Sequence, residues 1–208
     1  MIRNILAQQR EERDALLQQK YIQRMDDEAI AEYLNTSLIK LITGPRRAGK
    51  SVMALQILKN KNFAYLNFDD DLLLNNFEED IVIQSLNDVY AGYTCLLLDE
   101  IQNLPNWELW VGKLYRRGIN LIITGSNSRL LSNEMASALT GRYLQIIVLP
   151  FSFGETLRFK SFTVSDKMQY TPAGIGEILA LLDSYMFNGG FPETLFNPLL
   201  LKNYLSSF

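Results

Sequence analysis

Gly44-Pro45-Arg46-Arg47-Ala48-Gly49-Lys50-Ser51 decides how the rest of this chain reads. Two glycines five residues apart, followed by Lys and Ser, have the spacing of a phosphate-binding P-loop. Upstream runs Leu38-Ile39-Lys40-Leu41-Ile42-Thr43, apolar and β-branched, which predicts a short buried strand. Downstream, Val52, Leu55, Ile57 and Leu58 recur at roughly helical spacing. The loop therefore stands between a strand and a helix, the context the motif needs. Its glycines let backbone N–H groups curl around phosphate oxygens, and the helix N-terminus adds partial positive charge. The stretch from Gly44 to Val52 is the candidate cradle, Lys50 reaching the β- and γ-phosphates and Ser51 offering its hydroxyl to Mg²⁺. A glycine-rich turn that ends in Lys-Ser by chance is the bland alternative, and the remaining sequence tests it.

The bulk composition narrows the classes. At 208 residues, 48% apolar and 21% charged, the chain has the size of one α/β domain with a small appendage. A net charge of −3 is not the field of a protein that wraps DNA by bulk electrostatics, and leaves room only for a local basic patch. A single cysteine, Cys95, lies in an apolar run; it rules out an intramolecular disulfide and fits a reducing compartment. The absence of histidine removes the usual zinc ligands, Ser-His triads and any histidine base. No apolar stretch approaches 18 residues and the N-terminus is too polar for a signal peptide, so the expectation is a cytoplasmic protein with no membrane partner.

Residues 1 to about 34 read as helical. Ile2, Ile5 and Leu6 make one apolar spot, and Ala15, Leu16, Leu17 and Tyr21 another, around a polar middle. Within residues 1–24, Arg3, Arg10, Arg13, Lys20 and Arg24 outweigh Glu11, Glu12 and Asp14, a local excess of +2. A solvated helix packing one narrow face on the core explains this; a docking arm for a partner or for a nucleotide base is the sharper reading.

A second strand, residues 62–68, ends in Asp69-Asp70-Asp71, either a metal-binding cluster or a loop entering a helix N-terminus. A helix is expected from near Asn76, with Glu79 in capping-box spacing and Ile81, Ile83, Leu86, Val89 and Tyr90 as its apolar side. Then comes Tyr93-Thr94-Cys95-Leu96-Leu97-Leu98-Asp99-Glu100, a fully buried strand ending in two carboxylates. About fifty residues after a P-loop, Asp99 is placed to hold a metal-bound water or accept from Ser51, and Glu100 to orient and deprotonate the attacking water.

A helix with Trp107, Trp110, Val111 and Leu114 on one face follows, its tryptophans read as core rather than a stacking platform. The next strand, Ile119 to Thr124, carries a polar tip, Gly125-Ser126-Asn127-Ser128, beside the Asp99-Glu100 tip in a parallel sheet. Turn chemistry alone also explains that tip. A helix with Leu130, Leu131, Met135 and Leu139 is expected to end near Gly141. Arg142 comes next, either a helix C-terminal charge or an arginine finger for a neighbouring subunit. A strand from Tyr143 to Leu149 is closed by Pro150, where the strand-helix alternation stops. Residues 159–172 read as loop, and Thr171-Pro172 starts a helix marked by Ile175, Ile178, Leu179, Leu182 and Met186. Asn188-Gly189-Gly190-Phe191-Pro192-Glu193 breaks it, and the apolar segment Leu199 to Phe208 has no evident cap, suggesting that a C-terminal region is missing.

These pieces in this order resemble AAA+ superfamily ATPases, and within them a bacterial and archaeal family of ATP-binding proteins with a C-terminal domain of unknown function. The motifs carrying the resemblance are the loop at 44–51, Leu97-Leu98-Asp99-Glu100-Ile101-Gln102, Thr124-Gly125-Ser126-Asn127-Ser128, Gly141-Arg142, Pro150-Phe151-Ser152-Phe153-Gly154-Glu155 and Gly189-Gly190-Phe191-Pro192-Glu193. The resemblance implies a three-layer α/β P-loop NTPase of the ASCE/AAA+ type. Its five-stranded parallel sheet would hold the P-loop and acidic strands adjacent at the centre. It implies an N-terminal helical segment (1–34), an ATPase core (35–156) and a partial helical lid (157–208). It also implies ATP or ADP with Mg²⁺, Lys50 and Ser51 as Walker A, Asp99 and Glu100 as Walker B, and Ser126 (or Thr124 or Asn127) as γ-phosphate sensor. Arg142 takes the finger position, which matters only in a homo-oligomer. After Arg158 the cations are Lys160, Lys167 and Lys202, so no second-sensor arginine stands in the lid.

Three functions follow as expectations: an Mg²⁺-dependent ATPase driving a conformational change in an unknown partner or substrate, a nucleotide-gated switch with little turnover, and a nucleic-acid-acting motor or loader; the partner is a protein or a nucleic acid. Glu100 favours the first, because a pure binder needs no such base. The absence of an Asn-Lys-x-Asp run favours adenine over guanine.

Overall fold

The structure is a computed structural model that describes residues 1–24, 30, 32–126 and 139–197. Five strands form one parallel sheet: β1 (Ile39–Gly44), β2 (Phe63–Asn67), β3 (Cys95–Asp99), β4 (Asn120–Ser126) and β5 (Tyr143–Ile147), in the order β2-β3-β4-β1-β5. Strands covered on both faces read as continuous apolar runs rather than alternating ones, and β1 and β3 are buried at every position. One expectation is corrected here. The P-loop strand β1 and the acidic strand β3 are not neighbours; β4 lies between them, pairing Ile123 with Leu41 on one side and Leu98 on the other. The inserted strand brings a threonine, rather than the P-loop strand itself, alongside the acidic tip.

The described chain divides into two compact units. One holds the sheet and its helices; the other is built from Ile22–Met25, Pro45–Gly49 and the chain from Leu149 onward.

In the first unit, α1 (Ile2–Gln18) packs Ile2, Ile5 and Leu6 inward. Its polar middle is less solvated than the sequence suggests. Gln9 is buried, donating to Asn67 O (3.1 Å) and Asp70 Oδ2 (2.9 Å) and accepting the Asn67 N–H (3.0 Å). The helix stops at Gln18 and residues 20–24 are not helical, but residues 30, 32 and 33 are helical again, so the expected helical segment is interrupted. The stop carries no Gly or Pro; Gln19 turns to an extended backbone (φ −71°, ψ 152°) and donates its N–H to Leu16 O.

Helix α2 (Lys50–Leu58) packs on β1 and β4. Asp70 settles the three-aspartate run as a helix start: it is the N-cap of α3 (Asp71–Asn75), accepting from the Leu72 and Leu73 N–H groups. Helix α4 (Glu79–Val89) begins three residues later than Asn76, which instead closes α3. Its buried face is Val82, Ser85, Leu86 and Val89, while Ile81 is exposed. In α5 (Trp107–Arg116) Trp107, Trp110, Val111 and Leu114 are all buried. Trp110 meets Phe77 edge-on with centroids 5.0 Å apart, which is core packing rather than a platform for a base. Lys40, in the middle of β1, is fully buried yet satisfied, donating to Thr36 O and Asn120 Oδ1, both at 2.6 Å.

In the second unit the alternation stops after Pro150 as expected, and among the described residues only helical elements follow. Ser152 and Glu155 form a capping box that opens α6 (Phe153–Phe159), a signal present in the sequence and passed over. A 3₁₀ turn, Asp166–Tyr170, interrupts the expected loop. Helix α7 (Pro172–Asn188) starts where Thr171-Pro172 predicts, with Thr171 Oγ1 accepting the Gly174 N–H at 3.2 Å. Its apolar marks are not a buried face, since Ile175, Leu179 and Met186 are exposed. After the Gly-Gly break a short helix, α8 (Pro192–Phe196), forms. The two glycine-bearing motifs of this unit meet: Phe151 donates its N–H to Gly190 O at 2.7 Å. A Cβ on Gly190 would lie 1.9 Å from Phe151 O, so only glycine allows the approach. The expected helix at 130–139 lies outside the described residues apart from Leu139, and the segment 199–208 lies outside them entirely.

Candidate functional site

In the first unit the candidate residues converge at the C-terminal ends of the strands. Ser51, at the start of α2, donates its hydroxyl to Asp99 Oδ1 at 2.7 Å. Thr124, fully buried on β4, donates its hydroxyl to the same oxygen and accepts the Glu100 N–H at 3.1 Å. Tyr65 on β2 donates to Asp99 Oδ2 at 3.2 Å. Three hydroxyl donors on one buried carboxyl fit its ionised, acceptor-only form. Burial nevertheless pushes the Asp99 carboxyl above the usual carboxylate range; the Thr124, Ser51 and Tyr65 hydrogen bonds pull it back only in part, and the Glu100 charge adds to the rise.

Lys50 is buried with its Nζ 4.0 Å from Glu100 Oε1. Glu100 follows β3 in a left-handed conformation (φ 52°, ψ 41°), an uncommon one for a residue with a side chain, and caps a 3₁₀ turn over Ile101–Asn103. Its other oxygen accepts from Gln102 Nε2. The Gln102 Oε1 is buried and among the described residues has no partner, leaving an acceptor next to the Glu100 contact unfilled.

Oxygen donors on a buried carboxylate and an adjacent serine are a suitable set for Mg²⁺, which takes one or two protein ligands and completes its shell with water and phosphate. No cluster of three acidic or cysteine side chains able to hold a metal without such help exists among the described residues.

The turn Pro45–Gly49 belongs to the second unit. Its backbone has positive φ at Arg47 (62°) and Gly49 (92°), on either side of Ala48, whose N–H donates to Pro45 O at 3.4 Å. Ala48 is fully buried, Arg46 and Arg47 are exposed, and Arg47 pairs with Glu193 at 3.3 Å. Behind the turn lies Arg24, which donates to the Ala48 carbonyl.

The remaining candidates are placed as follows. Val52 is half-buried in α2. Ser126 is the last residue of β4, opposite Gly44 in register, while Thr124 rather than Ser126 touches the acidic pair. Asn127 and Ser128 lie outside the described residues. Arg142 is exposed, just before β5, its carbonyl accepting the Ile39 N–H at the opposite end of β1 from the P-loop. Sequence reasoning missed Tyr65, Gln102 as an individual group, and Arg24 with Glu155. Only the Ser152-x-x-Glu155 spacing carried a legible signal; Tyr65 sits in an apolar strand like any core aromatic.

A family model described as an AAA domain matches residues 36–157. An uncharacterized protein of Methanocaldococcus jannaschii is 39% identical over an alignment of 164 positions that covers 74% of this chain and 36% of that protein. An uncharacterized protein of Haemophilus influenzae is 31% identical over an alignment of 196 positions that covers 86% of this chain and 45% of that protein. The chain thus spans less than half the length of these curated relatives. Among solved structures, the Walker-type ATPase of Pyrococcus abyssi is similar with a TM-score of 0.49 at 17% identity, over 86% of this chain and 69% of that one. No helix among the described residues is long and apolar enough to cross a membrane.

Proposed function

The chain belongs to the AAA domain family, and from that premise we propose that it binds ATP with Mg²⁺ and hydrolyses it, using the turnover to change the conformation of a partner. One observation carries the proposal: the last two residues of the loop motif each face one carboxylate of the acidic pair, Ser51 on Asp99 at 2.7 Å and Lys50 near Glu100 at 4.0 Å. The stretch Gly44 to Val52 cradles the phosphates. Ser51 and Asp99 hold the metal ion, which when bound neutralises charge on the β- and γ-phosphates.

Lys50 has to exchange the Glu100 carboxylate for phosphate oxygens when ATP enters. That exchange leaves Glu100 able to orient a water molecule and take its proton. The water oxygen bonds to the γ-phosphorus, the bond to the β–γ bridging oxygen breaks, and ADP and inorganic phosphate leave. Thr124 fixes the backbone of Glu100 and the carboxyl of Asp99 together, and Ser126 is the γ-phosphate sensor at the tip of the same strand. Arg142 serves a second copy of the chain in a homo-oligomer. The partner acted on is a protein or a nucleic acid.

A second reading rests on the same Lys50–Glu100 pair. If ATP does not break it, the base stays occupied and the protein is a nucleotide-gated switch with little turnover. The test is ATP binding and steady-state hydrolysis of wild type, Lys50→Ala and Glu100→Gln. Lys50→Ala is expected to weaken ATP binding. Glu100→Gln is expected to keep binding and to slow hydrolysis by about a hundredfold or more. An unchanged rate in Glu100→Gln removes the base assignment, and tight binding without turnover in wild type selects the switch.

A further inference from the structure

Arg24 is a cation enclosed by protein, its side chain only 10% exposed. Its guanidinium lies over the Phe151 ring, 4.4 Å from the centroid. One nitrogen, Nη1, faces Glu155 Oε2 at 3.3 Å, and that carboxylate also accepts from the Ser152 N–H (2.7 Å) and hydroxyl (3.0 Å). The other, Nη2, donates to Leu149 O at 3.0 Å and to Ala48 O. A planar fork that stacks on a ring and reaches three acceptors is a task for Arg and not for Lys.

The Ala48 carbonyl is the important partner, because the peptide it belongs to continues into Gly49. A trans peptide is planar, with its C=O and N–H pointing in opposite directions. No cis bond occurs among the described residues. A donor gripping Ala48 O from one side therefore turns the Gly49 N–H to the other. Gly49, with its φ of 92°, has the backbone freedom that would let this peptide flip, and a flipped peptide would present an oxygen, not an N–H, to a polyphosphate.

We infer that Arg24 is a positioning residue for the phosphate loop: it holds the Ala48–Gly49 peptide so that the Gly49 N–H is presented to the polyphosphate. The inference rests on the ATP-binding reading and adds a residue outside the family-matched segment of 36–157. The capping box of Ser152 and Glu155 holds the Glu155 end of the grip in place.

The test is calorimetric titration of the full chain with MgATP and, separately, with inorganic tripolyphosphate, for wild type, Arg24→Ala and Arg24→Lys. Arg24→Ala is expected to lose affinity for both ligands by the same factor, about tenfold or more. Arg24→Lys is expected to stay weakened, and millimolar methylguanidinium to restore Arg24→Ala while leaving wild type unchanged. In ¹⁵N spectra the Gly49 amide should move on adding tripolyphosphate to wild type and not to Arg24→Ala, a signature that a merely stabilising ion pair would not give. Binding of both ligands within twofold of wild type in either folded variant overturns the inference. So does a loss confined to ATP, which would make Arg24 a contact to base or sugar. If Arg24→Ala does not fold, Arg24→Lys decides by the same criteria. Failure of wild type to bind either ligand overturns the ATP reading instead.

Discussion

Tyr65 on β2 gives its phenolic hydrogen bond to Asp99 Oδ2 at 3.2 Å, and both side chains are buried. Parallel pairing of β2 with β3 sets Asn67 opposite Asp99, so Tyr65 reaches the carboxyl from two residues back on the neighbouring strand. The two oxygens of Asp99 are thereby divided: Oδ2 is held by Tyr65, and Oδ1 is shared by Ser51 and Thr124. Burial, followed by the Asp99 charge, pushes the Tyr65 phenol well above its ordinary range, so it remains a donor at any working pH.

Tyr65→Phe should therefore lower stability by about 1 kcal/mol in urea unfolding, through the loss of one buried hydrogen bond. It should also weaken the Mg²⁺ dependence of ATP binding by about tenfold, as expected when a group that orients a metal-binding carboxylate is lost. ATP titrations with Mg²⁺ and with a chelator separate the two effects. A stability loss with unchanged Mg²⁺ dependence would reduce Tyr65 to a packing residue.

The raised pKa of Asp99 gives a pH prediction. In the unfolded chain this carboxyl ionises near its ordinary value of about 4, while in the folded chain it holds its proton to higher pH. The folded state therefore binds more protons across that window, and stability falls as pH rises through it. Asp99→Asn removes the penalty. At pH 7 without ligand the variant should be the more stable of the two, and the gap should close as pH falls toward 4. Mg²⁺ should no longer tighten ATP binding to it. Calorimetric melting of both proteins across this range checks the sign, and a variant less stable than wild type at pH 7 would contradict it.

The fold was legible where one local pattern determines one element. The run Leu96-Leu97-Leu98 fits only a buried strand, Thr171-Pro172 marks a helix start, and the four apolar positions of α5 form its buried face. Strand order was not legible, because nothing in β1 or β3 says which strand lies between them; that is fixed by helix crossovers packing far along the chain. The acidic pair and the loop could be found from spacing, yet Tyr65 and Arg24 could not. Tyr65 acts through a partner thirty-four residues ahead and Arg24 through partners twenty-four or more residues ahead, and neither residue type in its local context differs from an ordinary core aromatic or surface cation.

Gly44 and Gly49 look equivalent in the motif but differ in space. A Cβ on Gly44 would lie 2.0 Å from Val148 O, a backbone atom fixed by the Val148 N–H to Thr43 O bond of 2.7 Å. A Cβ on Gly49 would meet only the end of the Arg24 side chain, at 3.5 Å. Gly44→Ala is therefore expected to cost about 3 kcal/mol or more, or to give no folded protein. Gly49→Ala, strained only by its left-handed backbone, should cost about 1–2 kcal/mol. Thermal melting of the two variants ranks them, and the reverse order would mean that the β1–Val148 contact yields easily.

Arg142 stands at the wrong end of the sheet to serve its own chain. Its carbonyl accepts from Ile39, the first residue of β1, whereas the loop leaves from Gly44, the last. Five strand residues separate the two ends, about 16 Å at 3.3 Å per residue. The finger role proposed for Arg142 therefore requires nucleotide held by another copy. Arg142→Ala should thus leave ATP affinity of the dilute chain unchanged and reduce the rate per subunit only at concentrations where copies associate. A finger contribution lost in this way is worth about a thousandfold or more in turnover. Mixing supplies the decisive measurement. Lys50→Ala has no working loop and Arg142→Ala no arginine to offer, so each is expected to be inactive alone. In a mixture, a Lys50→Ala copy can lend its arginine to the intact site of an Arg142→Ala copy, and activity should return as the two are combined. No recovery at any ratio, with both variants folded and associating, would remove Arg142 from the reaction.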